Sequence, residues 1–350
     1  MMADSVVVID CGSEQIKAGL AGEAAPQVVF PSEVARPKIP GQSALLVGEE
    51  AHAKANSGTA TSSRPIANGK VVDWDGFAAL YRHALRTWPE AAASGGVVVV
   101  QHRDHIAEQG ERLIQMARQA GAGRVALVDT GVAAAAAAGR STAAVVDIGA
   151  AGTRVSAVHQ GRPVGRVLRI PVGGRDLTGY LMKILTERGY TFTTTRDRDS
   201  VQVVKERGCF VAPDFDDCMN RAGKDTAFER TVSLPDGGEV TFDSERFRCP
   251  EVLFRPSFFG VEDNGLPETV VNVIQWADSG IRADLFAGVV LTGGTALLSG
   301  VTERLTKELR ALPEYTGGAP VNVITPLAPG HRAWSGASAL AATGSVTWAS

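Results

Sequence analysis

A short apolar strand that ends in an aspartate and runs directly into a glycine turn occurs twice in this chain. The first copy is VVVIDCG at residues 6–12, and the second is AAVVDIG at residues 143–149. A second strand-like run follows each turn, at residues 16–20 and 154–158. Two similar β-hairpins about 140 residues apart predict an internal duplication. This feature restricts the chain to folds built from two related halves.

A third apolar run, GVVLT at residues 288–292, also ends at a glycine turn, formed by Gly293, Gly294 and Thr295. Residues 301–309 follow it with apolar side chains every four positions, which is typical of a helix. This segment is therefore predicted to be a strand–turn–helix unit.

Strands and helices alternate along the chain, which predicts an α/β fold with mixed sheets. Residues 74–85 and 104–120 are expected to form helices that flank a strand at 96–100. The alanine-rich run at 132–138 predicts a helix that packs closely against a neighbour, as suits a junction between domains. With 350 residues, two domains are expected.

Composition excludes several classes of protein. The net charge of -3 gives no reason to expect nucleic-acid binding, and no apolar run is long enough to span a bilayer. Residues 1–4 lead directly into a strand, so we expect no signal peptide and a cytoplasmic location. The four cysteines lack zinc-type spacing and are expected to be reduced thiols.

The first hairpin has the groups that a phosphate requires. Backbone N–H groups of a tight glycine turn at Gly12 and Ser13 can point at one anion, and Lys17 returns on the next strand as a fixed positive charge. The second turn, which contains Gly149, Ala150 and Ala151, can bind the same polyphosphate from the other side. These residues are candidate nucleotide ligands.

An aspartate at each strand end would repel phosphate unless a cation lay between them. Magnesium is held by one or two carboxylates and bridges phosphate oxygens, so Asp10 and Asp147 are candidate ligands for Mg²⁺ or Ca²⁺. The alternative is that both aspartates only cap their turns. The duplicated pair, together with Gly293 and Gly294, favours a nucleotide site.

Several longer segments resemble actin and the actin-related proteins. They are DCGS from Asp10, KAGLAG from Lys17, RDLTGYLMKILTERGYTFTTT at 175–195, KERGCFVAPDF at 205–215, ERFRCPEVLFRPSF at 245–258, and LTGGT at 291–295. The likeness covers almost the whole chain and is greatest to the eukaryotic kind of actin. It implies the duplicated actin-like (ribonuclease H-like) ATPase fold, with two domains around a central cleft for ATP or ADP and a divalent ion.

The resemblance also implies domain boundaries and further ligand residues. The first domain is expected at 1–136 with a small excursion at about 33–69 and a C-terminal return at 331–350, and the second at 137–330 with an excursion at about 174–260. Lys205 and Glu206 are implied beside the adenosine, and Gly173 on the same wall. Gly293, Gly294, Thr295 and Leu297 are implied near the base and α-phosphate.

The chain departs from actin at the hydrolytic centre and beside the phosphates. Thr130 and Arg154 stand where actin places a glutamine and a histidine around the attacking water, so we expect slow or altered hydrolysis. Glu14 stands where actin has a glycine and should point away from the phosphates. Ala150 replaces an aspartate and removes one polar contact.

The assembly surfaces implied by the resemblance depart as well. The loop between Arg36 and Val47 is shorter than in actin, and the sequence ends at Ser350, so the partners that bind actin's terminal groove are not implied here. The loop after Phe258 keeps its length. Phe258 itself is expected in the core, and Phe259, Val261 and Leu266 are expected to form a lateral contact between subunits.

Three functions remain open at this point. The first is a cytoskeletal filament protein that assembles with itself under ATP control. The second is a small-molecule kinase on the same fold, which the close likeness to actin disfavours. The third is a non-polymerising regulatory subunit. We favour the first.

Overall fold

The computed structural model describes residues 5–38, 44–235, 237–312, 320–325 and 329–350. The first four residues and the middle of the shortened loop, at 39–43, lie outside the described residues. The chain divides into two compact units. One consists of Met1–Val145, Ser156–Val164 and Pro326–Ser350, and the other of Val146–Val155 and Gly165–Thr325.

The described strands, in chain order, are β1 (Val7–Cys11), β2 (Gln15–Leu20), β3 (Val28–Pro31), β4 (Val34–Pro37), β5 (Leu46–Val47), β6 (Ala60–Ser63), β7 (Ile66–Ala67), β8 (Lys70–Val71), β9 (Val97–Gln101), β10 (Val125–Asp129), β11 (Ala143–Ile148), β12 (Thr153–His159), β13 (Arg162–Ile170), β14 (Arg230–Ser233), β15 (Glu239–Phe242), β16 (Val289–Thr292) and β17 (Val323–Ile324). The described α-helices are α1 (Glu49–Asn56), α2 (Trp74–Leu85), α3 (Pro89–Ser94), α4 (Arg103–Gln119), α5 (Thr130–Ala137), α6 (Gly174–Leu185), α7 (Thr195–Gly208), α8 (Phe215–Arg221), α9 (Glu245–Glu251), α10 (Leu266–Gln275), α11 (Arg282–Phe286), α12 (Val301–Ala311) and α13 (Arg332–Ala342). The helices predicted at 74–85, 104–120, 132–138 and 301–309 are thus confirmed, with ends that shift by a few residues at most.

Two five-stranded sheets repeat one order. The first sheet runs β10-β9-β1-β2-β3, and the second, taken from its far edge, runs β17-β16-β11-β12-β13. In each sheet the predicted hairpin occupies the third and fourth positions, which supports the predicted duplication. The predicted α/β class is confirmed, because helices and mixed sheets alternate along the chain.

The central strand β1 is buried on both faces. Its side chains alternate, so that Val7 and Ile9 pack into one apolar cluster with residues of α2 and α4, whereas Val8 packs into another together with Val6, the residue before the strand. Trp334 of α13 lies in the second cluster and donates a hydrogen bond from its indole Nε1 to the carbonyl of Val8 at 2.9 Å. Parallel pairing of β1 with β9, and of β9 with β10, continues the sheet.

The alanine-rich helix α5 packs closely against α13, as small side chains allow. A Cβ built on Gly336 of α13 would lie 1.8 Å from the carbonyl oxygen of Ala133. No larger residue fits at that position. The prediction of close helix packing is therefore confirmed, with α13 as the neighbour.

The excursion after β3 is a small structure of its own. Strands β5, β4 and β6 form a three-stranded sheet with α1 beside it, and β7 pairs with β8. The second excursion contains the hairpin of β14 and β15. All four cysteines are buried free thiols, as expected.

Two expectations about the loop after Phe258 are wrong. Phe258 is 41% exposed and not in the core, although its ring lies 5.5 Å from that of Phe215. Leu266 is fully buried, because it begins helix α10 and packs its side chain inward. Leu266 therefore offers no surface for a lateral contact.

Candidate functional site

The first hairpin places an ion pair at the end of β1. Asp10 and Lys17 are direct cross-strand partners in the antiparallel ladder, and Lys17 Nζ lies 3.5 Å from Asp10 Oδ2. Both side chains remain partly exposed. Strand register thus fixes one positive and one negative side chain next to each other at the end of β1. Both contribute to the local charge that a ligand would meet there.

The turn that joins these strands is held by side-chain hydrogen bonds. Ser32 Oγ donates to the carbonyl of Gly12, and Ser13 Oγ accepts a hydrogen bond from the N–H of Gly69 at 2.9 Å. The Glu14 carboxylate lies against Arg64 at 3.2 Å. A Cβ on Gly12 would lie 2.8 Å from the carbonyl oxygen of Gln15, so the turn has no room for a side chain there.

Thr130 is buried at the start of α5, directly after Asp129. Asp129 is the N-cap of that helix and accepts hydrogen bonds from the N–H groups of Val132 at 3.0 Å and Arg103 at 2.9 Å. Burial raises the pKa of Asp129, although these hydrogen bonds oppose the shift. The Asp129 carboxylate therefore stabilises the start of α5 and the backbone at Arg103. Thr130 is the buried residue that follows it.

His331, which the sequence reasoning missed, shares the surroundings of the first hairpin. Burial lowers the pKa of His331, the charge of Lys17 lowers it further, and Asp10 opposes the shift. Next to it, Arg332 is almost fully buried, and loss of hydration lowers its pKa to about 10. The signal in the sequence was a histidine directly before the helix that contains Trp334 and an arginine at its first position.

In the other unit, three glycine turns meet at the end of β11. The N–H of Gly174 donates to the carbonyl of Gly149 at 2.9 Å, and Thr295 Oγ1 donates to the same carbonyl at 3.3 Å. The N–H of Arg175 donates to the carbonyl of Ala150 at 2.8 Å. Backbone hydrogen bonds thus join the turns at 149–152 and 173–174, and the Thr295 hydroxyl joins the turn at 293–295 to them.

Two of these glycines cannot be replaced without moving the backbone. A Cβ on Gly173 would lie 2.3 Å from the N of Gly152, and one on Gly293 would lie 2.3 Å from the carbonyl oxygen of Ile148. Gly293 also has φ of +87°, in the left-handed region that favours glycine. The same Cβ would be 2.6 Å from Asp147 Oδ1, so the Gly293 turn lies directly beside that carboxylate.

Arg154 lies on β12, and Asp147 lies on the preceding strand β11. Arg154 is only 8% exposed, and burial lowers the pKa of its guanidinium, whereas the negative charge of Asp147 raises it. Each candidate metal ligand therefore has a positive charge near it, Lys17 for Asp10 and Arg154 for Asp147.

The residues present fit a divalent cation of the magnesium type, but not a metal held by protein ligands alone. Within the described residues no group of three or more His, Cys, Asp and Glu side chains could hold a metal ion. Magnesium commonly uses one or two carboxylates and completes its octahedron with water and phosphate oxygens. Asp10 in one unit and Asp147 in the other are each a carboxylate of the kind that such a cation uses.

Among models of known protein families, one matches nearly the whole of this chain. The model described as Actin matches residues 1–349. The chain belongs to the actin family. It is an actin-like nucleotide-binding protein.

Lys205 and Glu206 of this actin-family chain differ sharply in their surroundings. Lys205 is buried, and its Nζ donates to the carbonyl of Gly174 at 2.7 Å and to Thr178 Oγ1 at 2.8 Å. Glu206 is exposed and accepts a hydrogen bond from Gln202 at 2.9 Å. They are therefore not an ordinary surface pair, since Lys205 supports the turn at Gly174.

Leu297 lies in the short 3₁₀ turn that follows Gly293 and is 59% exposed. Its side chain therefore lies at the surface, close in sequence to the turn at Gly293 and Gly294. In the described parts of the chain, none of the helices combines the length and the apolar character that crossing a membrane requires.

Proposed function

We propose that this chain binds ATP together with a divalent cation, and that the state of the nucleotide controls its self-assembly into filaments. The observation that carries the nucleotide proposal is the meeting of three glycine turns beside Asp147. Turns of this kind direct backbone N–H groups at an anion, and the adjacent carboxylate suits its counter-ion. Membership of the actin family supports the same assignment.

The charged residues of the first hairpin would act on the phosphates. Lys17 supplies a positive charge that a triphosphate can use, and Ser13 supplies a hydroxyl. Asp10 and Asp147 would hold the divalent cation, which when bound neutralises phosphate charge and bridges phosphate oxygens. Gly12, Gly149, Ala150 and Ala151 would contribute backbone rather than side-chain contacts.

The adenosine end would be held by the second unit. Leu297 offers apolar surface to the base, and the exposed Glu206 carboxylate can accept hydrogen bonds from ribose hydroxyls. Lys205 would act indirectly, because its ammonium already supports the carbonyl of Gly174 and the hydroxyl of Thr178. Gly173, Gly294 and Thr295 would shape the wall beside the α-phosphate.

The nucleotide proposal is tested by calorimetry on an Asp10→Ala, Asp147→Ala double variant, with and without Mg²⁺. We expect the parent to bind ATP more tightly with Mg²⁺ and the double variant to lose that gain, by about a hundredfold in affinity. A matched control is Asp217→Ala with Asp225→Ala, two exposed carboxylates paired with Arg221. Magnesium-dependent ATP binding that persists in the folded double variant would remove the metal assignment.

Hydrolysis by this chain is proposed to be slow. A threonine hydroxyl at position 130 is short, and the Arg154 guanidinium cannot accept a proton, although it can stabilise negative charge. Thr130→Gln should raise the steady-state rate of phosphate release about three- to tenfold, because a longer side chain orients water better. Arg154→His is the companion variant. Unchanged rates in both, with ATP binding intact, would exclude these positions from the reaction.

Self-assembly is proposed to use the loop after Phe258. Phe258 and Phe259 are 41% and 37% exposed, and clusters of exposed apolar side chains commonly mark protein contacts. A head-to-tail association of identical subunits gives an open filament when the rotation does not close. The buried Leu266 is excluded from the contact, so Phe258, Phe259 and Val261 remain.

Sedimentation with ATP and Mg²⁺, followed by electron microscopy of the pellet, tests assembly. Phe258→Asp with Val261→Asp should abolish pelleting and leave ATP binding intact. Val72→Asp, at an apolar residue that is 59% exposed in the other unit, is the control for added negative charge. Normal pelleting of the loop variant would show that filaments form through another surface.

A non-polymerising regulatory subunit is the second candidate function. The observation that favours it is the burial of Leu266, which leaves the expected lateral contact without one of its three apolar residues. Failure of the parent protein to pellet at every ATP, Mg²⁺ and salt concentration, with nucleotide binding intact, would establish this second function.

A further inference from the structure

Glu14 is the residue directly after Ser13, and its carboxylate forms an ion pair with Arg64. Arg64 Nη2 lies 3.2 Å from Glu14 Oε1, and both side chains are about one-third exposed. The same Nη2 lies 3.7 Å from Glu33 Oε2. Arg64 thus lies between two carboxylates, that of Glu14 on the turn after β1 and that of Glu33 between β3 and β4.

Glu33 is held firmly in its place. Its side chain is almost fully buried, and its Oε2 is 3.0 Å from His52 Nδ1 on helix α1. His52 in turn contacts Asn56 through Nε2 at 3.1 Å. Because these contacts fix Glu33, its negative charge helps to orient the Arg64 guanidinium.

The backbone around Arg64 is tied to the same turn. The N–H of Ser32, next to Glu33, donates to the carbonyl of Glu14 at 2.9 Å. The N–H of Gly69, five residues after Arg64, donates to Ser13 Oγ at 2.9 Å. The turn and the segment that contains Arg64 therefore keep a fixed spacing, so the Arg64–Glu14 pair is held by the fold and not only by its own attraction.

We propose that Arg64 is a positioning residue of the nucleotide site, which directs the Glu14 carboxylate away from the phosphates and compensates its charge. This inference rests on the proposed ATP binding. A carboxylate one residue from the phosphate-binding Ser13 would repel a polyphosphate, and its partner charge reduces that repulsion. Arg64 does not touch the nucleotide in this scheme; it acts through Glu14.

The inference is tested by calorimetry of Arg64→Ala with ATP, ADP and adenosine, all with Mg²⁺. We expect ATP affinity to fall about ten- to hundredfold, ADP affinity to fall less, and adenosine affinity to stay within about twofold, because the repulsion grows with ligand charge. Arg64→Lys keeps the charge and should retain most of the affinity.

The deciding variant is the double substitution Glu14→Gln with Arg64→Ala. Removing the carboxylate removes the repulsion, so ATP affinity should return to within about threefold of Glu14→Gln alone. Arg221→Ala, which removes an arginine from an exposed ion pair on α8, controls for the change in net charge and should leave all three affinities unchanged.

A purely structural role for Arg64 would give different results. It would weaken ATP and adenosine equally, and Glu14→Gln would not restore ATP binding; either result overturns the inference. If thermal unfolding shows that Arg64→Ala is not folded, Glu14→Gln alone tests the inference. ATP affinity should then rise relative to adenosine affinity in Glu14→Gln, and the absence of that rise overturns the inference. A parent protein that binds neither ATP nor ADP would instead refute the proposed function, and the inference with it.

Discussion

The two duplicated hairpins hold their turns by different means. The turn after β1 is held by side chains: the hydroxyls of Ser13 and Ser32, the Glu14–Arg64 pair, and the Asp10–Lys17 pair next to it. The turn after β11 is held mainly by backbone hydrogen bonds to Gly149 and Ala150, with one more from the Thr295 hydroxyl, and the adjacent Gly173 and Gly293 have no room for a Cβ atom. One duplicated scaffold therefore carries a site governed by charge and a site governed by close packing.

This difference indicates how each turn should respond to substitution. A turn held by charges should respond to changes of charge, ionic strength and pH, apart from Gly12, where no side chain fits. A turn held by close backbone contacts should respond to one added methyl group and hardly to charge. The predictions below separate the two behaviours, beginning with the largest expected effect.

The largest effect is expected at Gly293 in the second unit. Gly293→Ala should lower the free energy of unfolding by about 2–4 kcal/mol, because its Cβ collides with the Ile148 carbonyl and the backbone has φ of +87°. Gly294→Ala is a matched control one residue away, where an added Cβ has no atom within 4 Å. Chemical denaturation measures both. Equal losses of unfolding free energy in the two variants would mean that close packing does not distinguish Gly293 from Gly294.

A smaller and more selective effect is expected at Lys17 in the first unit. Lys17→Ala should weaken ATP about tenfold and adenosine little, because the lost interaction is with phosphate charge. Lys70→Ala, which removes an exposed lysine paired with Glu108, is the control in the same unit. Calorimetry with both ligands decides. Equal weakening of ATP and adenosine would move Lys17 out of the phosphate site.

The smallest effect is a pH dependence of stability at His331. Its pKa is lowered in the folded protein from the ordinary value of 6.5, chiefly by burial, so the unfolded chain binds a proton more readily. Stability should therefore fall as pH drops from about 6.5 toward the lower folded value. In the folded protein the charge of Lys17 lowers the pKa of His331 and that of Asp10 raises it, so the two effects oppose each other.

His331→Gln should remove this part of the pH dependence. The difference in unfolding free energy between parent and variant, followed from about pH 8 to pH 5, measures it. We expect the parent to lose stability relative to the variant as pH falls through the ordinary histidine value. Parallel curves would show that protonation of His331 does not contribute to the pH dependence of stability.

Helices and strands with regular apolar spacing were predictable from the sequence. The helix at 74–85 has its N-cap Asp73 and an apolar stripe, and the structure begins and ends it at the same residues. Leu266 was mispredicted even though a signal was present. Gly265 and Pro267 flank it as at a helix start, where a leucine commonly turns inward.

The contacts that decide the chemistry of the candidate site join residues distant in sequence. Arg64 reaches Glu14 across 50 positions, and no local pattern distinguishes it from other surface arginines. Lys205 resembled a surface lysine of a polar helix, yet the fold buries its ammonium against Gly174 and Thr178. Such burial depends on what packs over the helix, which propensity and periodicity do not contain.

The sequence by itself determined the paired hairpins, the aspartate at each strand end and the glycines of the three turns. These features follow from local chemistry, since strand alternation and turn geometry restrict the residues that fit. Only the tertiary structure decided that the turns meet beside Asp147, that Arg64 faces Glu14, and that the charge of Lys17 acts on the pKa of His331. The physical reason is that charge and hydrogen bonding act through space, and the spacing of distant segments is set by the packed core.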